Sequence, residues 1–196
     1  MMTKLLSFVA SQLTISILLS SFATTKALEQ NNGYEETLDP NLFALKEQKL
    51  THFHFFFHDT FTGTKPSVIQ IVPTPPTNVS AVAFGSMNMI DDPLTEGPNL
   101  SSNLIGKAQG FYGSAAQDEI SFIIVMNIVF TQGKYNGSTI TIVGSDPISS
   151  KVRELPVIGG SKIFRFARGY AEASTYSVNL TSGDAIVEYN LYVLHY

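Results

Sequence analysis

Asp59 is the residue most able to do chemistry in this chain. It ends a run of phenylalanines in Leu50–Thr64, LTHFHFFFHDTFTGT. Strand alternation puts Phe53, Phe55, Phe57 and Asp59 on one face. His52, His54, Phe56 and His58 fall on the other. A carboxylate at the end of an apolar row costs free energy unless something pairs with it, and its proton affinity moves with its surroundings. Two readings stand: an acid or base facing a cavity, or an aspartate capping the turn at Thr60-Phe61-Thr62-Gly63.

Three further groups qualify. Asp146 lies in Val143-Gly144-Ser145-Asp146-Pro147, just past an expected strand end, and Arg153 follows. Arg153 suits a carboxylate partner, Asp146 or Asp59, or an anionic ligand. The plainer alternative is an Asp-Pro turn with a surface ion pair. Tyr112 ends Lys107-Ala108-Gln109-Gly110-Phe111-Tyr112. If it points inward, so do Gly110 and Ala108, which leaves room beside a phenolic hydroxyl; the alternative is an ordinary core tyrosine. His52, His54 and His58 share a face, but their outer α-carbons would lie ~20 Å apart at ~3.3 Å per residue. They cannot together hold one ion, so no metal site is expected.

Other chemistries lack their signatures. The chain has no cysteine. It shows no G-x-S-x-G elbow, and Gly159-Gly160 has no strand–helix context to cradle a phosphate. No cofactor is expected. With a net charge of −4 and no basic cluster, nucleic acid is not an expected partner.

The elements that must position these groups read as strands. Eight are predicted: Thr51–Asp59, Ser67–Val72, Val82–Asp91, Leu104–Tyr112, Ile120–Thr131, Ser138–Val143, Phe164–Ala173 and Ala185–Leu194. Explicit breaks separate them, including Pro73-Thr74-Pro75-Pro76 and the Asn136-Gly137 hairpin turn. The span Ile120–Thr131 is apolar on both faces, and charged residues are only 14% of the chain. Both point to sheet covered by another layer or subunit. About eight antiparallel strands close a barrel just wide enough for a small ligand.

Residues 1–27 read as a secretory signal peptide: Lys4, an apolar and hydroxyl-rich run from Leu5 to Phe22, then small residues at Ser21, Ala23, Thr25 and Ala27. Residues 28–48 read as a flexible arm with a helical turn near Leu42–Glu47, and 49–196 as one barrel domain. No later stretch is suited to crossing a bilayer. Asn78, Asn99, Asn136 and Asn179 each begin an N-x-S/T sequon, which an exported chain offers for glycosylation.

Five segments together resemble the plant dirigent family: FHDTFTG (Phe57–Gly63), GKAQGFY (Gly106–Tyr112), GKYNGSTITIVGSDP (Gly133–Pro147), VRELPVIGGSKIFRFARGYA (Val152–Ala171) and EYNLYVLHY (Glu188–Tyr196). The resemblance implies an eight-stranded antiparallel β-barrel, associated as a trimer and secreted to the apoplast. It implies a small phenolic substrate or its quinone methide. It also implies no oxidative centre of the protein's own, with a separate oxidase supplying phenoxy radicals for stereoselective lignan-type coupling. Asp59, Asp146, Arg153 and Tyr112 match the pocket positions of lignan-forming members, with Phe53, Phe55 and Phe57 expected along the wall. One match fails: Ser114 stands where pinoresinol formers usually carry a second aromatic. The GSDP, KVRELPVIGGS and C-terminal pieces are similar to another branch, some of whose legume members dehydrate isoflavanols and close the pterocarpan ring.

Overall fold

The computed structural model describes residues 37–43, 45 and 47–196. The predicted signal peptide and most of the predicted arm lie outside the described residues. The chain divides at Leu42/Phe43. In the first unit a 3-10 turn begins at Pro40, after Asp39, whose Oδ1 accepts the Asn41 amide at 2.9 Å.

The second unit carries nine strands: β1 (Lys49–Asp59), β2 (Val68–Val72), β3 (Met87–Thr95), β4 (Leu104–Ser114), β5 (Ser121–Phe130), β6 (Thr139–Pro147), β7 (Arg153–Gly160), β8 (Arg168–Val178) and β9 (Ala185–His195). They run in the order β1-β9-β8-β7-β6-β5-β4-β3-β2, all antiparallel. A short pairing of β1 with β3, Phe56 opposite Thr95 and Phe57 opposite Leu94, closes the sheet. Eight strands therefore make the barrel, and β2 is a flap on the outer edge of β3. The expected count of eight holds, though with a different set of strands.

β7 replaces a predicted loop. No strand is predicted over this span, yet Arg153, Leu155 and Val157 are buried while Glu154, Pro156 and Ile158 are exposed. The β6–β7 ladder covers only Ile140, Thr141 and Ile142 on the β6 side, so it does not call on the N–H that Pro156 lacks. Gly144 makes room for the proline ring, since a Cβ there would lie 2.9 Å from Pro156 Cδ.

β3 runs Met87–Thr95 rather than Val82–Asp91. Ala83 (φ 60°) and Gly85 (φ 89°) turn the chain just before it. Pro93 sits where β3 leaves β2 and takes up β1, a seam that tolerates a missing donor. β6 continues through Pro147, so Asp146 is on the strand and not past its end. β8 begins at Arg168, because Lys162–Phe164 forms a 3-10 turn.

The core fills one end of the barrel. Phe53 packs edge-on to Tyr135 and Phe164 at centroid distances of 5.1 and 5.9 Å, and tilted on Phe130 at 5.0 Å. These aromatics plug the end where β1 begins. Above them Phe55 stacks on Tyr189 at 5.5 Å. The other end stays open.

Candidate functional site

A cavity of about 530 Å³ occupies the open end, within the range of small-ligand sites. Its wall is mostly apolar: Phe57, Ile90, Phe122, Ile124, Met126 and Val187. Asp59, Tyr112, Asp146, Arg153 and Tyr189 also line it. The four polar residues singled out in the sequence thus meet in one chamber, although they come from β1, β4, β6 and β7. Of the three phenylalanines, Phe57 borders the cavity. Phe55 and Phe53 lie below it, in the stacked core and the plug.

Each group gets its inward direction from strand alternation. On β1, Phe55, Phe57 and Asp59 face in, and His52 and His54 are exposed. His52 stacks on Tyr192 at 4.6 Å, and His54 Nε2 lies 2.7 Å from Glu188 Oε1. His58 is buried on the other side of the sheet, 2.7 Å from Thr95 Oγ1. Thr95 gives its only hydroxyl proton to Gly97 O, at 2.7 Å. His58 Nε2 is therefore the donor, and burial holds its pKa down.

Two polar centres result. At the first, Tyr112 Oη donates to Asp59 Oδ2 at 2.9 Å. Burial pushes the Asp59 pKa up to about 6, with the Tyr112 hydrogen bond opposing the rise. Burial and the neighbouring Asp59 charge push the Tyr112 phenol well above its ordinary range, so it stays a neutral donor. At the second, Arg153 Nε donates to Asp146 Oδ1 at 2.6 Å, and Arg153 Nη1 to Thr175 Oγ1 at 2.8 Å. Arg153 is only 3% exposed and Asp146 5%. Burial raises the Asp146 pKa more than the guanidinium lowers it. Tyr189 is raised by burial and by Asp146.

Asp92 and Tyr189 were not singled out from the sequence. Asp92 has no exposed surface and lies on the inward row Asn88, Ile90, Asp92, Leu94 of β3. Ending the strand before Asp92-Pro93 hid that row; carrying the alternation through the proline would have shown it. Burial first, then the Asp59 charge, push the Asp92 pKa up to about 9.

Ser114, two residues beyond Tyr112, does not enter the cavity. Its Oγ donates to Val82 O at 2.9 Å and ties down the loop before β3. Asp184 clamps two other loops at the mouth: its carboxylate accepts Phe61 N at 2.7 Å, Thr62 N at 3.2 Å and Thr62 Oγ1 at 2.6 Å. Asn78, Asn99, Asn136 and Asn179 are all exposed.

Barrel, closed core and buried acid at the open end define the class, and the comparisons agree. Residues 50–194 match the family described as Dirigent-like protein, and the chain belongs to the dirigent family. It is 49% identical over 164 residues to pterocarpan synthase 1 of Glycine max, covering 83% of this chain and 88% of that one. It is 46% identical over 168 residues to dirigent protein 21 of Arabidopsis thaliana, covering 86% and 89%. A solved pterocarpan synthase dirigent protein superposes with a TM-score of 0.73 at 46% identity, covering 83% of this chain and 89% of that one.

Proposed function

We propose that the cavity binds a phenolic quinone methide, or the alcohol that forms it, and fixes the face on which its ring closes. One observation carries this reading: Asp59 stands in an apolar chamber, hydrogen-bonded by Tyr112, with a pKa near 6. A carboxylic acid that keeps its proton in mildly acidic solution can protonate a leaving hydroxyl. The best-supported substrate is a 2′-hydroxyisoflavanol. The Asp59 proton leaves with the C4 hydroxyl as water while the 7-phenol gives its own proton to solvent, forming the quinone methide. The 2′-hydroxyl then adds at C4 and its proton returns to Asp59, while the 7-oxygen takes a proton back from solvent and the phenol is restored. The products are a pterocarpan and water. Tyr112 fixes Asp59 Oδ2, and the Arg153–Asp146 pair holds the opposite wall and offers a guanidinium to an ionising phenol. Likeness to pterocarpan synthases and the absence of a second aromatic at Ser114 support this branch.

The equally broad likeness to dirigent protein 21 favours a second reading. In it the same chamber directs coupling of phenoxy radicals made by a separate oxidase, and the acid closes a bis-quinone methide. In either case we infer a secreted glycoprotein with exposed sequons. We further infer a trimer: Ile69, Met89, Phe111, Val125 and Val143 lie in register across five strands as an outward apolar row, suited to burial against other copies.

Chiral chromatography of products separates the two. Pterocarpan from the isoflavanol without oxidant supports the cyclase. Enantiomeric excess only from coniferyl alcohol with a one-electron oxidase supports the director.

A further inference from the structure

The barrel closes at the β1–β3 seam, and the seam carries a second carboxylate behind the first. The register that sets Phe57 opposite Leu94, carried two residues on, sets Asp59 opposite Asp92. Both side chains face the barrel interior. Asp59 Oδ1 and both oxygens of Asp92 are buried without a hydrogen-bond partner when the two groups are written as ionised. Two facing carboxylates in such a place cannot both stay charged. Among the described residues no Lys, Arg or His makes an ion pair with either one. The groups that interact with Asp92 are Asp59 from β1, Tyr112 from β4, Tyr189 from β9, Asp91 on its own strand and Ser67 before β2; only Ser67 and the two tyrosines are uncharged. A proton placed between the carboxyls turns one of them into a donor and gives Asp59 Oδ1 and one Asp92 oxygen a partner at once. Ala108, across from Asp92 on β4, is small and apolar, so it supplies no other partner.

We propose that Asp92 is a positioning residue for Asp59: the two carboxyls share a proton across the β1–β3 seam, and Asp92 holds Asp59 in place from behind. Asp92 does not line the cavity. The pair therefore works as one acid with two coupled steps, not as two independent aspartates. The proposal rests on the reading of Asp59 as the acid that drives ring closure, but its physical half can be tested without turnover.

The experiment is an NMR titration of the full mature chain with 13C-carboxyl-labelled aspartate, for wild type, Asp92→Asn and Asp92→Leu. The expected wild-type Asp59 resonance responds to two steps. In Asp92→Asn the amide keeps a donor facing Asp59, so the upper step disappears and Asp59 titrates once. In Asp92→Leu the donor is lost and Asp59 loses its proton only at higher pH than in Asp92→Asn. The pH profile of isoflavanol closure follows suit: its alkaline limb moves to higher pH in Asp92→Leu, with about a tenfold loss at the optimum, and Asp92→Asn stays within a few-fold of wild type. An Asp59 resonance that titrates once in wild type and identically in Asp92→Asn overturns the shared proton. Coupled resonances with an unmoved pH profile overturn the positioning role. An inert wild type with coupled resonances defeats the isoflavanol reading and leaves the proton pair standing.

Discussion

Arg153 Nε donates to Asp146 Oδ1 at 2.6 Å with both side chains almost wholly out of water. Such a pair adds little net stability against an apolar pair of equal volume, but breaking it leaves one buried charge unmatched. Arg153→Met is expected to destabilise the barrel by about 3–5 kcal/mol. Asp146→Leu combined with Arg153→Met recovers most of that loss. Urea unfolding of the two single variants and the double variant measures the coupling; additive losses would contradict it.

Removing the Tyr112 hydroxyl takes away the hydrogen bond that favours ionised Asp59. Tyr112→Phe should raise the Asp59 pKa by about one unit, equivalent to about 1.4 kcal/mol. Its acid form then persists to higher pH. The alkaline limb of the pH–rate profile moves up by a similar amount, while selectivity falls because Oδ2 is no longer anchored. A profile that stays put would place Tyr112 in the wall only.

The same acid costs stability. Asp59 is raised from 3.8 to about 6 in the folded chain. The folded state then binds more protons than the unfolded state between these values, so stability is complete below about pH 4 and falls as pH rises through about 6. The shift amounts to about 3 kcal/mol. Asp59→Asn lacks this slope and should overtake wild type above about pH 6. Thermal unfolding of both from pH 4 to 7 tests the sign; parallel curves would remove it.

Asp184 fastens the Phe61–Thr62 turn at the cavity mouth. Asp184→Ala should free that turn, with faster amide exchange at Phe61 and Thr62. It should also raise KM several-fold, with kcat little changed. Unaltered exchange at those two amides would show that the turn is held by other contacts.

The sequence carried the inward row of β1 plainly, because alternation alone puts Asp59 beyond Phe57 and no proline or glycine interrupts the strand. Asp146, Arg153 and Tyr112 were recognisable as candidates, but their meeting depends on which strands pair, and that is set by long-range register. Two prolines obscured the rest. Pro156 disguised β7, so Arg153 looked like a loop residue. Pro93 obscured the end of β3: the predicted strand stops at Asp91, one residue short of Asp92. Both prolines fall where a ladder is interrupted, at an irregular β6–β7 edge and at the β1–β3 closure. Local pattern cannot reveal such places before the sheet is assembled. Phe53 and Phe55 share the Asp59 face, but depth within the barrel decides that they pack below the chamber.

The most direct measurement is the rate of pterocarpan formation from 2′-hydroxyisoflavanol at pH 5.5, without oxidant, by wild type and by Asp59→Asn. Loss of one general acid should cost about 10²–10⁴-fold, with the variant still folded. A variant that closes the ring as fast as wild type would contradict the assignment of Asp59 as the acid of this cavity.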